Sequence, residues 1–357
     1  MKAWVLHEIG DIRWEEVEQP VPGEQEVLLR VRAAGICGSD VPRIYTNGTY
    51  SYPLIPGHEF AGEVMACGEG VSEEWLGQRT GIFPLIPCRE CGPCRQGYYE
   101  LCRHYSYLGS RRAGGFAEYV AVPVWNLLKL PEQVAFEEAA MLEPMSVAVH
   151  AMRRVHPAAG DVAVISGLGT IGLLLMMFLK EAGIEKLLVL GKKDFQRQQA
   201  LRMGIPEEDY YDVRQGGERE WLQEKTGHCG ADVFFECVGS NRSVELAVDS
   251  TAPAGRVMLV GNPYSDMTLP KAVYWKILRN QLTVTGSWNS SYTGADTDDW
   301  HYVLQRLAER RIAPAELISH RFPMEELEQG LTGKASNFRF EIRTADGKAR
   351  LYSNFQD

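Results

Sequence analysis

Two short stretches hold the residues best suited to chemistry: Gly35-Ile36-Cys37-Gly38-Ser39-Asp40 and Pro56-Gly57-His58-Glu59-Phe60. Together Cys37, His58 and Glu59 offer a thiolate, an imidazole and a carboxylate, the sulfur, nitrogen and oxygen donors that zinc accepts in a tetrahedron. Three such donors leave one position for water or substrate, which is the arrangement of a catalytic ion rather than a structural one. Ser39 stands two residues from Cys37 and is the candidate to relay a proton; a serine after glycine also serves simply to stabilise a turn. The same residues are compatible with a buried cysteine and a surface His-Glu pair that never meet, so the remainder of the chain has to decide.

A second cluster is denser. Cys88-Arg89-Glu90-Cys91-Gly92-Pro93-Cys94 is followed by Cys102 after seven residues, a lobe that can wrap one tetrahedral ion. Closely spaced cysteines also hold iron–sulfur clusters. Zinc is favoured because nothing else in the chain implies electron transfer. With every position filled by sulfur, the Cys88, Cys91, Cys94 and Cys102 site would be structural.

The third signature is Gly167-Leu168-Gly169-Thr170-Ile171-Gly172. It follows the apolar run 161–166, opens an apolar helix through Leu179, and leads to a second strand at 187–190. In that context the glycines form a dinucleotide fingerprint, with the pyrophosphate at the helix N-terminus. An NAD enzyme places an acidic residue about 20 positions past the glycines to bind the adenosine ribose. Here that place holds Gly191, then Lys192 and Lys193, which removes a repelling carboxylate and adds countercharge. NADP is therefore favoured over NAD. In the alternative, Asp194 reaches back to serve NAD and the lysines are merely solvated.

These residues need elements to position them. At 357 residues the chain predicts two domains. Residues 1–150 are strand-rich, with strands over 26–32, 60–66, 78–83 and 116–122 closely punctuated by Gly and Pro, which predicts a small β-barrel-like domain. Residues 151–290 alternate strand and helix, with further strands at 231–237, 255–261 and 282–285, which predicts a doubly wound parallel sheet. Residues 291–357 begin with an amphipathic helix over 298–310. An extended run at 317–320, a short helix at 325–331 and a hairpin over 338–352 follow. His320 is expected to be an ordinary strand residue, and Cys67, Cys229 and Cys237 ordinary buried ones; Tyr45 and Glu118 could line a pocket. A net charge of −10 argues against nucleic-acid or anionic-membrane partners. No run reaches the roughly 18 apolar residues of a membrane span, and the start reads straight into a strand without a signal peptide, so the cytoplasm is the expected location.

The motifs quoted above, in order and together with Leu142-Glu143-Pro144-Met145-Ser146-Val147-Ala148, resemble the zinc-dependent medium-chain alcohol and polyol dehydrogenases over nearly the whole chain. The resemblance implies an α/β protein: a GroES-like β-barrel catalytic domain, 1–150 completed by 291–357, and a Rossmann cofactor domain, 151–290. It also implies a catalytic zinc on Cys37, His58, Glu59 and Glu143, with the two glutamates alternating or acting through water, and a homodimer or homotetramer. Within the family, Cys37–Arg43, Gly109–Tyr119 and Gly286–Trp288 are similar to the bacterial galactitol-1-phosphate 5-dehydrogenases. A sugar phosphate is recognised by guanidinium groups, so Arg111 and Arg112, with Arg43 as a weaker candidate, are expected to bind a phosphorylated polyol. Alternatively the two adjacent arginines pair with surface acids. Rival readings are a sorbitol- or threonine-type enzyme with a non-phosphorylated substrate, and a non-catalytic dinucleotide-binding sensor.

Overall fold

The computed structural model describes residues 1–263 and 265–332, together with the backbone of Ile342 and Arg343. The chain divides into two compact units, Met1–Ser146 with the chain from Ser290 onward, and Val147–Asn289.

The first unit is built on a five-stranded antiparallel sheet in the order Tyr119–Pro123, Glu26–Gly35, Glu59–Cys67, Arg79–Ile82, Leu127–Lys129. A hairpin of Lys2–Glu8 with Asp11–Glu16 is bridged to it at Ala3–Ala117. Val27, Leu29, Val31, Val64, Ile82, Val120 and Val122 are buried and form its interior. Burying each such side chain contributes about 1.5–3 kcal/mol. The segment after Ser290 belongs to this unit through aromatic packing: Tyr292 lies 4.7 Å from Phe83 and Trp300 5.3 Å from it, ring centre to ring centre. Tyr292 also donates its hydroxyl to the Leu127 carbonyl at 3.1 Å. The amphipathic helix is Asp299–Ala308, capped by the Asp298 carboxylate.

One sequence expectation fails here. Residues 317–320 form no strand: Pro314–Leu317 is a 3-10 turn, and His320 lies in irregular backbone with its ring stacked on Phe322. Pro314 sets φ for a helical turn, and four apolar-polar residues are too few to distinguish a turn from a strand. The expected hairpin over 338–352 lies outside the described residues, except that Ile342–Arg343 pairs in parallel with Phe322–Pro323.

The second unit carries a six-stranded parallel sheet in the order Tyr210–Asp212, Lys186–Gly191, Val162–Ser166, Ala231–Glu236, Thr251–Leu259, Thr283–Gly286. Numbered along the chain this is 3-2-1-4-5-6, so the order reverses between Val162–Ser166 and Ala231–Glu236, and dinucleotides bind at such a reversal. The central strands are buried on both faces, which is why they read as apolar runs rather than as alternation. The outer strand Tyr210–Asp212 escaped the sequence reading: it is three residues long and follows an acidic 3-10 turn.

Candidate active site

Strand register brings the two chemical stretches together. Gly35 pairs with Glu59 across antiparallel strands, so the chain leaving one strand at Ile36-Cys37 lies beside the chain entering the other at Gly57-His58. Gly57 has φ +93°, and a Cβ there would fall 2.4 Å from the Phe116 ring, so no other residue fits before His58. The stretch from Gly114 to Phe116 clamps this loop by donating to the carbonyls of Ile55, Gly57 and Pro56 at 2.8, 2.8 and 3.0 Å.

The result is a three-donor cluster: ligand atoms of Cys37, His58 and Glu59 all lie within 4.8 Å of one another. His58 and Glu59 are buried, and Glu59 Oε2 has no hydrogen-bond partner. A buried, unpartnered carboxylate oxygen beside a thiol and an imidazole is what a divalent cation satisfies, so these residues fit zinc. Electrostatics agree. Burial, then the charges of Cys37 and Glu143, push the Glu59 carboxyl well above its ordinary value. Burial pulls the His58 imidazole down, but Asp40 and Cys37 more than offset it and leave it well above the usual histidine range.

Asp40 was quoted in the motif but given no role by the sequence, and it organises the site. Its carboxylate is fully buried, accepts from the Cys37 backbone N–H at 2.9 Å, pairs with Arg43, and stands 3.3 Å from His58 Nδ1. Burial alone would raise its pKa; His58 and Arg43 hold it below the ordinary carboxylate value. Such a partner fixes the orientation of a ligating histidine. The signal was an acid three residues after the cysteine and an arginine three further on.

Glu143, in the first turn of the helix Leu142–Val155, is buried but does not join the three donors within that distance. It accepts instead from the Tyr107 hydroxyl at 3.2 Å. Burial comes first among the causes that raise its pKa, and the same is true of Tyr107. Sequence reasoning missed Tyr107, and nothing in its spacing points to it.

Ser39 lines a cavity of about 420 Å³ with Pro42, Arg43, Asn47, Gly48, Thr49 and Tyr50. The three arginines behave differently. Arg43 faces this cavity but is paired with Asp40, and Arg112 is paired with Glu26, which removes it as an open anion site. Arg111 is held between two aromatic faces, 4.0 Å over Tyr50 and 4.4 Å over Tyr105, with its Nε buried and unpartnered. Glu118 accepts from the Lys2 backbone N–H rather than lining this cavity.

The four sulfurs of the cysteine lobe lie within 4.8 Å of one another. Cys91 caps the short helix Gly92–Arg95, which carries Cys94, and a 3-10 turn delivers Cys102. Sulfur separations are 3.9 Å for Cys88–Cys94, 3.5 Å for Cys91–Cys94 and 3.9 Å for Cys91–Cys102. Four thiolates at 2.3 Å around a tetrahedral ion stand about 3.8 Å apart, so the lobe fits zinc. Backbone N–H groups draw Cys91 down to about 6 while burial pushes Cys94 up to about 12. Of the remaining cysteines, Cys229 is exposed rather than buried, and Cys67 and Cys237 are half-buried.

In the second unit Gly167, φ +96°, ends the strand Val162–Ser166. A Cβ on Gly172 would come within 2.0 Å of the Gly167 carbonyl oxygen, so helix and turn pack as the fingerprint requires. Gly169 caps the helix Thr170–Glu181, on which Thr170 and Ile171 form the first turn with Leu168 buried before it. Gly191 closes the strand Lys186–Gly191; a Cβ there would meet the Tyr210 hydroxyl at 2.9 Å, so a side chain at this position requires Tyr210 to shift. The Lys192 and Lys193 backbone N–H groups donate to Gln196, Lys192 is exposed, and Asp194 pairs with Arg214.

A GroES-like unit with two donor clusters that fit a metal ion, joined in sequence to a six-stranded parallel sheet with a glycine-rich turn, is the arrangement of a zinc-binding dehydrogenase. Residues 23–132 match the alcohol dehydrogenase GroES-like domain and residues 170–309 the zinc-binding dehydrogenase family. The chain belongs to this medium-chain zinc dehydrogenase family. It is 33% identical over 339 residues to galactitol 1-phosphate 5-dehydrogenase of Escherichia coli K12, covering 94% of this chain and 97% of that one. It is 29% identical over 360 residues to sorbitol dehydrogenase of Bacillus subtilis, covering 99% and 98%. Its fold matches the crystal structure of galactitol-1-phosphate dehydrogenase from E. coli with a TM-score of 0.88 and 32% identity, covering 99% and 100% of the two chains. Among the described residues no helix is long and apolar enough to cross a membrane.

Proposed function

We propose that this enzyme oxidises a secondary alcohol of a phosphorylated polyol, of the galactitol 1-phosphate kind, to a ketose phosphate with NAD(P). The three-donor cluster of Cys37, His58 and Glu59 carries the reading. A zinc ion held there supplies the Lewis acidity that lowers the pKa of an alcohol hydroxyl. Ser39, on the cavity wall two residues from Cys37, would pass the released proton on. The 167–172 turn would hold the pyrophosphate of a nicotinamide cofactor, which would supply the hydride acceptor.

Arg111 supports the phosphate. Its guanidinium is fixed by two rings, beside Tyr50 of the cavity wall, and a rigid guanidinium loses little entropy on binding an anion. A second reading, a non-phosphorylated polyol, is favoured by the pairing of Arg43 and Arg112 with carboxylates of the protein itself. NADP is favoured over NAD because Lys192 is exposed beside a position without a carboxylate and Asp194 is engaged by Arg214. We assign the exposed Tyr274, Trp275 and Leu278 of the helix Lys271–Arg279, next in sequence to the edge strand Thr283–Gly286, to contact with a second copy of the chain, giving a homodimer or homotetramer.

The deciding experiment is turnover of galactitol 1-phosphate, galactitol, sorbitol and threonine with each nucleotide, by wild type and Arg111→Met. A phosphorylated substrate preferred by the wild type and losing about 10- to 100-fold in kcat/KM in the variant supports the reading. Equal use of free and phosphorylated polyol, unchanged in the variant, establishes the second.

A further inference from the structure

Two buried carboxylates, Glu59 and Glu143, compete for the metal centre, and only Glu59 joins Cys37 and His58. The difference lies in what holds Glu143. Tyr107 is fixed on the strand Ser106–Tyr107 opposite Leu85. Its ring stands edge-on to His58 at 5.7 Å and to Tyr105 at 6.1 Å, so the direction of its hydroxyl is set by packing. That hydroxyl donates to Glu143 Oε1 at 3.2 Å. The Glu143 charge lies in the first turn of its helix, where the dipole also favours it.

We propose that the Tyr107 hydroxyl is a positioning group that holds Glu143 off the metal, so that Glu59 completes a three-ligand set and the fourth position stays free for the alcohol. The inference rests on the catalytic-metal reading of Cys37, His58 and Glu59. Without the hydroxyl, buried Glu143 Oε1 loses its hydrogen-bond donor, and the cation is the group that can take the donor's place. Glu143 then becomes a fourth ligand and closes the site to substrate.

The test exchanges cobalt(II) into the Cys37 site of the full chain, with zinc left in the cysteine lobe, and uses imidazole as the probe of the open position. In the wild type, imidazole should shift the cobalt absorption bands. In Tyr107→Phe, which keeps the ring and its contacts, the bands should be altered before any imidazole is added. Imidazole affinity should fall about 10- to 100-fold, the range of a lost hydrogen bond to a charged group. Tyr107→Phe with Glu143→Gln should regain wild-type affinity, which a general loss of packing would not allow. Identical spectra and affinity in wild type and Tyr107→Phe overturn the proposal, as does failure of the double variant to recover. A wild type that binds no cobalt beyond the lobe instead refutes the catalytic-metal reading, and the inference falls with it.

Discussion

Replacing Asp40 by Asn should damage the metal site without touching a metal ligand. The carboxylate is fully buried and faces Cys37 N–H, Arg43 and His58 at once. Asparagine keeps the shape and can still accept from the Cys37 N–H, but it removes the charge opposite Arg43, whose side chain is only 18% exposed. Breaking a buried pair by removing one partner costs about 3–5 kcal/mol, and the retained backbone hydrogen bond argues for the lower end. Loss of an orienting partner typically weakens metal binding about 10- to 100-fold. Urea unfolding of the metal-free protein measures the first quantity, and competition with a chromogenic chelator measures the second. The cysteine lobe supplies an internal control, since its affinity should not change. An Asp40→Asn protein with wild-type urea midpoint and wild-type affinity at the Cys37 site would refute the argument that Asp40 organises that site.

Metal analysis of the wild type should find two zinc ions per chain, one for each donor cluster, and Cys94→Ser should bring this to one while lowering the unfolding midpoint. Gly172→Ala should raise the nucleotide Kd at least about tenfold and cost about 1–3 kcal/mol, because its Cβ would lie 2.0 Å from the Gly167 carbonyl oxygen; nucleotide fluorescence titration reads the first effect. His301 is held above the ordinary histidine value by its hydrogen bond to Asp298. A raised folded-state pKa contributes stability that is complete below the unfolded value of about 6.5 and is lost as pH rises through the folded value. The wild type should therefore exceed His301→Gln in urea midpoint by more at about pH 6 than at about pH 9, and a difference independent of pH would contradict this assignment.

Much of this protein was legible in one dimension. Metal lobes and glycine turns depend on spacing along a few residues, because the chain must wrap an ion or a pyrophosphate locally. Cys88 to Cys102 and Gly167 to Gly172 were therefore readable directly. The parallel strands were readable where both faces are buried, and the three-residue strand at Tyr210–Asp212 was not. Which charges are spent internally was legible only for Arg43, three residues from Asp40. Arg43, Arg111 and Arg112 look alike in sequence, yet one pairs with Asp40, one with Glu26, and one is held between nearby Tyr105 and distant Tyr50. The same holds for the two glutamates: Glu59 meets Cys37 because Gly35 falls opposite it in the sheet, while Glu143 is held by a tyrosine 36 residues away. Donor types are a property of residues, but the identity of each donor's partner is decided by strand register and long-range packing. Only the folded chain brings those groups within hydrogen-bonding distance.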